Sequence, residues 1–404
     1  MATMIVPIVK DKSKDITRVD NYRPVAIVTV MSKLFELCIL NRIENFIATS
    51  DYQFGFKRKH STEMCIFVVK EIVDFYKSHN SPVFACFMDA TKAFDRVNHW
   101  KLFNKLLDRG IPSFIVRCLL YWYRGQTFCV RWASELSTPF EVANGVRQGS
   151  VLSPTLFAIY IDDLSIRLQK AGVGCHLAGN IMNHLFYADD IVLVSPSVKS
   201  LNKLVEICEC YGEEFDILFH TTKTECMSFF PNNLGLTRIP SVYLYGKPLD
   251  FVTVKKYLGY MVSSNGDDEA DMRRQLRCIY ARANFILRKF SLCSESVKCT
   301  LFRSFLYSIY CLNVWCDYRT KIVNTLRVAY NNAIRLIFNL KRASSASGNS
   351  VNRNILNFES LQRKQLYNFS HRLLGSENVL VRTCVNSDVF FLSKFWVHFR
   401  RCMY

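Results

Sequence analysis

An α+β fold is predicted from three features of the sequence. Short apolar runs with strand character recur, of which 83–88 and the pair 184–187 and 191–194 are the clearest. Longer segments, such as 62–78 and 153–170, read instead as helices, the first of them amphipathic. Charge is divided unevenly. The 404 residues carry a formal net charge of +18, and residues 271–404 hold 22 Lys+Arg against 6 Asp+Glu. The first 270 residues therefore contribute only +2. A basic, helical C-terminal third behind a mixed N-terminal part suits a polyanion held beside that part. With half its residues hydrophobic and 14% aromatic, the chain is globular rather than disordered.

Taken in order, residues 4–9 read as a strand. Because it begins almost at Met1, the chain is expected to be a fragment or truncated copy. Asn21-Tyr22-Arg23-Pro24 is a turn before a strand at 25–28, and a helix is expected over 32–49. A basic loop over 51–62 ends at Thr62, which can cap the following helix. The strand 83–88 ends on Asp89. Helices follow near 100–110 and 113–122, then strand-like alternation over 132–142. Gly145 and Gly149 flank a loop that can approach a ligand closely, and Ser153-Pro154 starts the next helix. The two apolar runs around Ala188-Asp189-Asp190 predict a hairpin whose turn presents both aspartates. A helix near 199–214 and short strands near 226–230, 242–245 and 255–262 complete the first 263 residues.

The apolar stretch 300–316 contains Arg303 and is too short to span a bilayer, so it is expected to be a core helix, and no membrane partner is expected. Residues 343–350 are linker-like. The 16 cysteines are scattered and no secretory pattern opens the chain. An intracellular protein with reduced thiols, in the cytoplasm or nucleus, is expected.

Three carboxylates at the tips of neighbouring strands, Asp89, Asp189 and Asp190, are the candidate metal ligands. Hard divalent cations take oxygen donors, and two Mg²⁺ about 3.5–4 Å apart serve in-line phosphoryl displacement. The doublets Asp162-Asp163 and Asp267-Asp268 do not sit between strands. From residue types alone the chemistry is metal-dependent phosphoryl transfer.

The ordered set Phe87-Met88-Asp89 through Phe94-Asp95, Gly145 to Gln148-Gly149 and on to Leu152-Ser153-Pro154, and Phe186-Tyr187-Ala188-Asp189-Asp190 resembles a reverse transcriptase of the non-LTR (LINE-type) retrotransposon family. Tyr22-Arg23-Pro24, Gln53-Phe54-Gly55-Phe56, Ser61-Thr62, Lys223-Thr224 and Tyr257-Leu258-Gly259 fit the same family, so the resemblance covers about 4–263. It implies a right-hand polymerase with fingers, a palm bearing an antiparallel sheet, and a helical thumb. Residues 1–263 would be the reverse transcriptase domain, 264–342 the basic thumb and 343–404 a basic helical extension. It implies an RNA template, a DNA primer or target DNA, dNTPs and two Mg²⁺ ions, with Mn²⁺ as the alternative.

By resemblance Asp89 and Asp189 bridge the metals, Asp190 is the third acid, and Lys223 donates a proton near the leaving pyrophosphate. Phe94 would lie under the incoming sugar and exclude a 2′-hydroxyl. Gln148 would touch the template opposite the incoming nucleotide, and Arg23, Lys57 and Arg58 would meet the triphosphate. Arginine is usual in the family at Lys57, and asparagine at His220. Tyr257 and Gly259 would form the primer grip, and Arg274, Arg277 and Arg288 would track the duplex backbone. Two other readings are a catalytically inactive RNA-binding remnant, which would have lost a metal carboxylate, and an RNA-synthesising polymerase, which would need a small residue at Phe94.

Overall fold

The computed structural model describes residues 2–231, 239–341 and 343–403. The expected end of the thumb at Arg342 lies outside them. Its architecture is the α+β right hand, organised around a four-stranded antiparallel palm sheet. The strand order is Glu225–Phe229, Val83–Asp89, Asp190–Ser195, His184–Tyr187. Residues Val83 to Met88 are all buried, because the strand is covered on both faces. Alternate side chains enter two different cores. Val83, Ala85, Phe87, Val192 and Met227 join one, while Phe84, Cys86, Met88, Ile191 and Cys226 join the other.

Behind the second face lie the helices His99–Asp108, Ser113–Arg124, Ser153–Lys170 and Val198–Glu214. Behind the first lies Thr62–Ser78, capped by Ser61 rather than Thr62, the Ser61 hydroxyl accepting the Met64 N–H. The same core continues without a break through thumb and C-terminal extension. Phe67, Val192, Ile279, Trp315, Phe369 and Phe395 all belong to it.

The fingers carry a second sheet. Ala2–Val9 pairs antiparallel with Tyr22–Ile27 and parallel with Thr127–Trp132. The following helix runs over Val30–Arg42, shorter than the 32–49 expected.

In the C-terminal third, the helix Glu269–Phe290 packs against Thr320–Ile337. Two expectations there need correction. The stretch 300–316 is not one helix: Glu295–Leu306 ends, Cys311 adopts a left-handed conformation (φ 65°), and a short 3-10 turn, Leu312–Val314, follows. The linker-like 343–350 instead contains the start of a helix, Ala346–Asn352, whose Ser345 cap accepts the Gly348 N–H. No helix among the described residues is long and apolar enough to cross a membrane.

Candidate active site

The acidic residues meet because of strand register. Asp190 opens its strand directly opposite Asp89, the last residue of the neighbouring strand. Across the hairpin Asp190 pairs with Tyr187, so the turn consists of Ala188 and Asp189. Only one of the two aspartates is therefore a turn residue. All three carboxylates stand at one end of the palm sheet.

Burial raises the Asp189 carboxyl above its ordinary value, with repulsion from Asp89 adding to it and the nearby Arg23 opposing it. Asp190 is pushed up to about 6, first by desolvation and then by Asp189 and Asp89, although the residue stays exposed at the end of its strand. Lys223 reaches the same end of the sheet, its Nζ 3.3 Å from Asp89 Oδ2. Thr224 fixes that approach: its hydroxyl accepts the Asp89 N–H at 3.3 Å, and the Asp89 carbonyl accepts the His220 N–H at 2.8 Å. A cavity of about 310 Å³ opens beside the site, lined by Asp89, Asp190, Lys223, Glu225, Lys255 and Lys256. Lys255 bridges Glu225 and the Lys223 carbonyl.

Among the described residues no three His, Cys, Asp or Glu side chains are gathered tightly enough to ligate one ion. The donor set nonetheless fits a divalent cation. Adjacent hard oxygen donors whose ionised forms are disfavoured by one another are stabilised when a cation binds.

That electrostatic cost has a measurable sign. A carboxyl raised from 3.8 to about 6 binds more protons folded than unfolded, so between those values stability falls as pH rises. The metal-free melting temperature should therefore fall between pH 4 and 6 by this contribution, and the rise in melting temperature on adding Mg²⁺ should grow over the same window. Differential scanning fluorimetry of wild type and Asp190→Asn checks it. An Asp190→Asn chain with the same pH profile as wild type would refute the assignment.

Around the acids, Phe94 stacks on Phe157 (centroids 4.5 Å apart, 15° between planes), and Phe56 meets its edge. The glycine loop closes against that turn. A Cβ on Gly145 would lie 2.8 Å from the Asp95 carbonyl oxygen, and the Val146 N–H donates to the Phe94 carbonyl at 2.7 Å. Gln148 donates from Nε2 to Asp95 Oδ1 at 3.2 Å. The loop is anchored from behind by Glu36, which sequence reasoning missed. Its buried carboxylate accepts from Arg147 Nη2 at 2.9 Å, from the Ser150 hydroxyl, and from the Val151 N–H at 2.8 Å. A lone glutamate on an otherwise unremarkable helix offered no sequence signal.

Other expected site residues fare differently. Arg23 and Arg58 are exposed, and neither has an ion-pair partner among the described residues. Lys57 is not a free cation: its ammonium donates to the Thr49 and Ser50 carbonyls at 2.7 and 2.6 Å, which ties the loop to itself. Tyr257 is a largely buried residue, packed on Phe87 with its hydroxyl 3.2 Å from Cys65 Sγ, at the wall of the cavity that Asp89 and Asp190 also line. Gly259 forms a tight turn (φ 82°) against Tyr310. Arg274 pairs with the buried Asp271 at 2.6 Å, an acid that also accepts from Trp315 Nε1, so its guanidinium is already engaged within its own helix. Arg277 and Arg288 are exposed on the same helix, without an ion-pair partner among the described residues.

The family profile for reverse transcriptase (RNA-dependent DNA polymerase) matches residues 9–262. The probable RNA-directed DNA polymerase from transposon X-element of Drosophila melanogaster is 29% identical over 336 residues, covering 78% of this chain and 35% of that protein. The RNA-directed DNA polymerase from mobile element jockey of Drosophila funebris is 30% identical over 254 residues, covering 60% of this chain and 27% of that protein. The chain thus spans about a third of the length of these curated relatives. Among solved structures, telomerase from Candida tropicalis in complex with a TWJ fragment of telomeric RNA aligns with a TM-score of 0.47 at 10% identity, over 95% of this chain and 62% of that one. With the family profile covering most of fingers and palm, and its acids meeting at one sheet end, the chain belongs to the reverse transcriptase (RNA-dependent DNA polymerase) family.

Proposed function

We propose that this chain extends a primer 3′-hydroxyl with dNTPs on an RNA template, with Asp89, Asp189 and Asp190 holding two divalent cations. The observation that carries the reading is the register that sets Asp190 opposite Asp89, with Asp189 in the adjoining turn. When bound, such ions favour the ionised primer hydroxyl and offset charge on the triphosphate. The chain's own residues do the rest. Lys223, beside Asp89, is placed to give a proton to the departing pyrophosphate. Arg23 and Arg58 supply cations for the triphosphate, and Gln148 positions the template strand. Arg277 and Arg288 hold duplex phosphates without reading sequence.

Phe94 selects the sugar by occlusion, because its ring is backed by Phe157 and cannot swing into that neighbour's place. The test is primer extension on an RNA template with Mg²⁺ and either dNTPs or rNTPs. Wild type should incorporate dNTPs, and Phe94→Ala should lower discrimination against rNTPs on the order of tenfold or more. Equal use of both nucleotide classes by wild type would refute the gate. A folded wild-type chain that never extends would refute the polymerase.

A further inference from the structure

We propose that Gln53 is a positioning residue that holds the catalytic hairpin in shape, an inference that rests on the polymerase reading of that hairpin. Gln53 is fully buried, on the fingers loop rather than in the palm. Its Oε1 accepts two backbone N–H groups, from Gly55 at 2.9 Å and from Ala188 at 3.1 Å. Ala188 immediately precedes Asp189 and adopts φ 60°. That left-handed conformation is unfavourable for a residue with a Cβ, so something outside the turn must hold it.

The loop is built onto the hairpin. The Phe54 N–H donates to the Phe186 carbonyl and the Phe186 N–H to the Tyr52 carbonyl, both at 2.8 Å. Gly55 lies so close to the turn that a Cβ there would stand 2.4 Å from the Ala188 nitrogen. The contact is therefore backbone against backbone, with the Gln53 carboxamide as the link. Asp190 is held independently by its ladder with Asp89, so loss of the link should displace Asp189 most. Gln53 Nε2 has no hydrogen-bond partner among the described residues. Replacing that amide nitrogen by a hydroxyl breaks no bond, so Gln53→Glu is the conservative variant in its neutral acid form, which full burial beside Asp189 and Asp190 favours.

The full chain is compared as wild type, Gln53→Met, Gln53→Glu and the double variant Gln53→Met with Ala188→Gly. Three readouts are Mn²⁺ binding by electron paramagnetic resonance, hydrogen exchange of the 184–190 segment, and kcat and KM for dNTP. Gln53→Met should weaken Mn²⁺ binding and lower kcat at least about tenfold, because it orphans the buried Gly55 and Ala188 N–H groups, and should speed exchange of the hairpin. KM should move much less. Gln53→Glu should keep wild-type Mn²⁺ affinity, and Ala188→Gly should restore much of the Met variant's loss, because glycine holds φ > 0 unaided.

A folded Gln53→Met chain with wild-type exchange and Mn²⁺ affinity would overturn the proposal. So would a loss that neither Gln53→Glu escapes nor Ala188→Gly relieves. Should Gln53→Met not fold, the double variant decides: a folded chain with Mn²⁺ affinity near wild type supports the link, and a chain that still fails to fold or loses affinity tenfold overturns it. Exchange of the 184–190 segment needs neither metal nor polymerisation. A chain whose exchange responds as stated but which never extends a primer would sink the polymerase reading alone.

Discussion

Asp189→Ala should reduce dNTP incorporation by at least about 10³-fold, the upper range for losing one preorganised electrostatic partner. On the proposed mechanism the loss should appear in kcat, because Asp189 would hold the ions rather than the duplex. Folding should survive. Asp189 lies in a two-residue turn, and its ionised form is disfavoured by burial and by Asp89, so its removal relieves unfavourable charge. Asp190 should then titrate below its value of about 6, because one of its two acidic neighbours is gone. Single-turnover primer extension measures the first effect, and NMR titration of the aspartate carboxyls the second. Incorporation that persists in Asp189→Ala would place the chemistry elsewhere. An Asp190 that titrates unchanged would contradict the charge crowding on which the site depends.

Glu36→Ala should give the largest loss of stability of any single substitution near the site. The carboxylate is 1% exposed and accepts the Arg147 guanidinium together with the Ser150 hydroxyl and the Val151 and Leu152 N–H groups. Breaking a buried pair from one side strands the other charge, at about 3–5 kcal/mol. Urea unfolding should register that change. The double variant with Arg147→Met should lose less than Glu36→Ala alone, since no unpaired guanidinium remains. The segment 144–154 should also loosen. Because it carries Gln148 and closes over Phe94, KM for dNTP should rise. An Glu36→Ala chain as stable as wild type would show that the four contacts are not made in solution.

The palm was legible because its physics is local. Six consecutive apolar residues ending on Asp89 are what a strand buried on both faces requires, and the hairpin announces itself by the two apolar runs on either side of Ala188-Asp189-Asp190. The family order of motifs then brought these segments together. What stayed illegible depends on partners distant in sequence. Nothing near Glu36 foretells Arg147, and nothing near Gln53 foretells Ala188. Arg274 is different, since Asp271 stands one helical turn earlier and an i, i+3 acid was a usable warning. The burial of Tyr257 was not legible, because an aromatic at a motif position reads alike whether it packs inward on Phe87 or stands open to solvent. The break in 300–316 turns on a left-handed cysteine, which propensity does not anticipate.

The shared core also fastens the residues after 343 to the palm. Asn378 donates to the Asp51 carbonyl at 2.6 Å, the Val379 N–H donates to the Asp51 carboxylate at 3.0 Å, and Arg372 pairs with Glu63 at 2.8 Å. Phe67 on the palm helix meets Phe369, Phe390 and Phe395 edge-on. Trimming at 343 would strip an aromatic cover from that helix and unfasten the loop that carries Gln53, wetting the underside of the palm. Residues past 343 therefore behave as a keel for the palm.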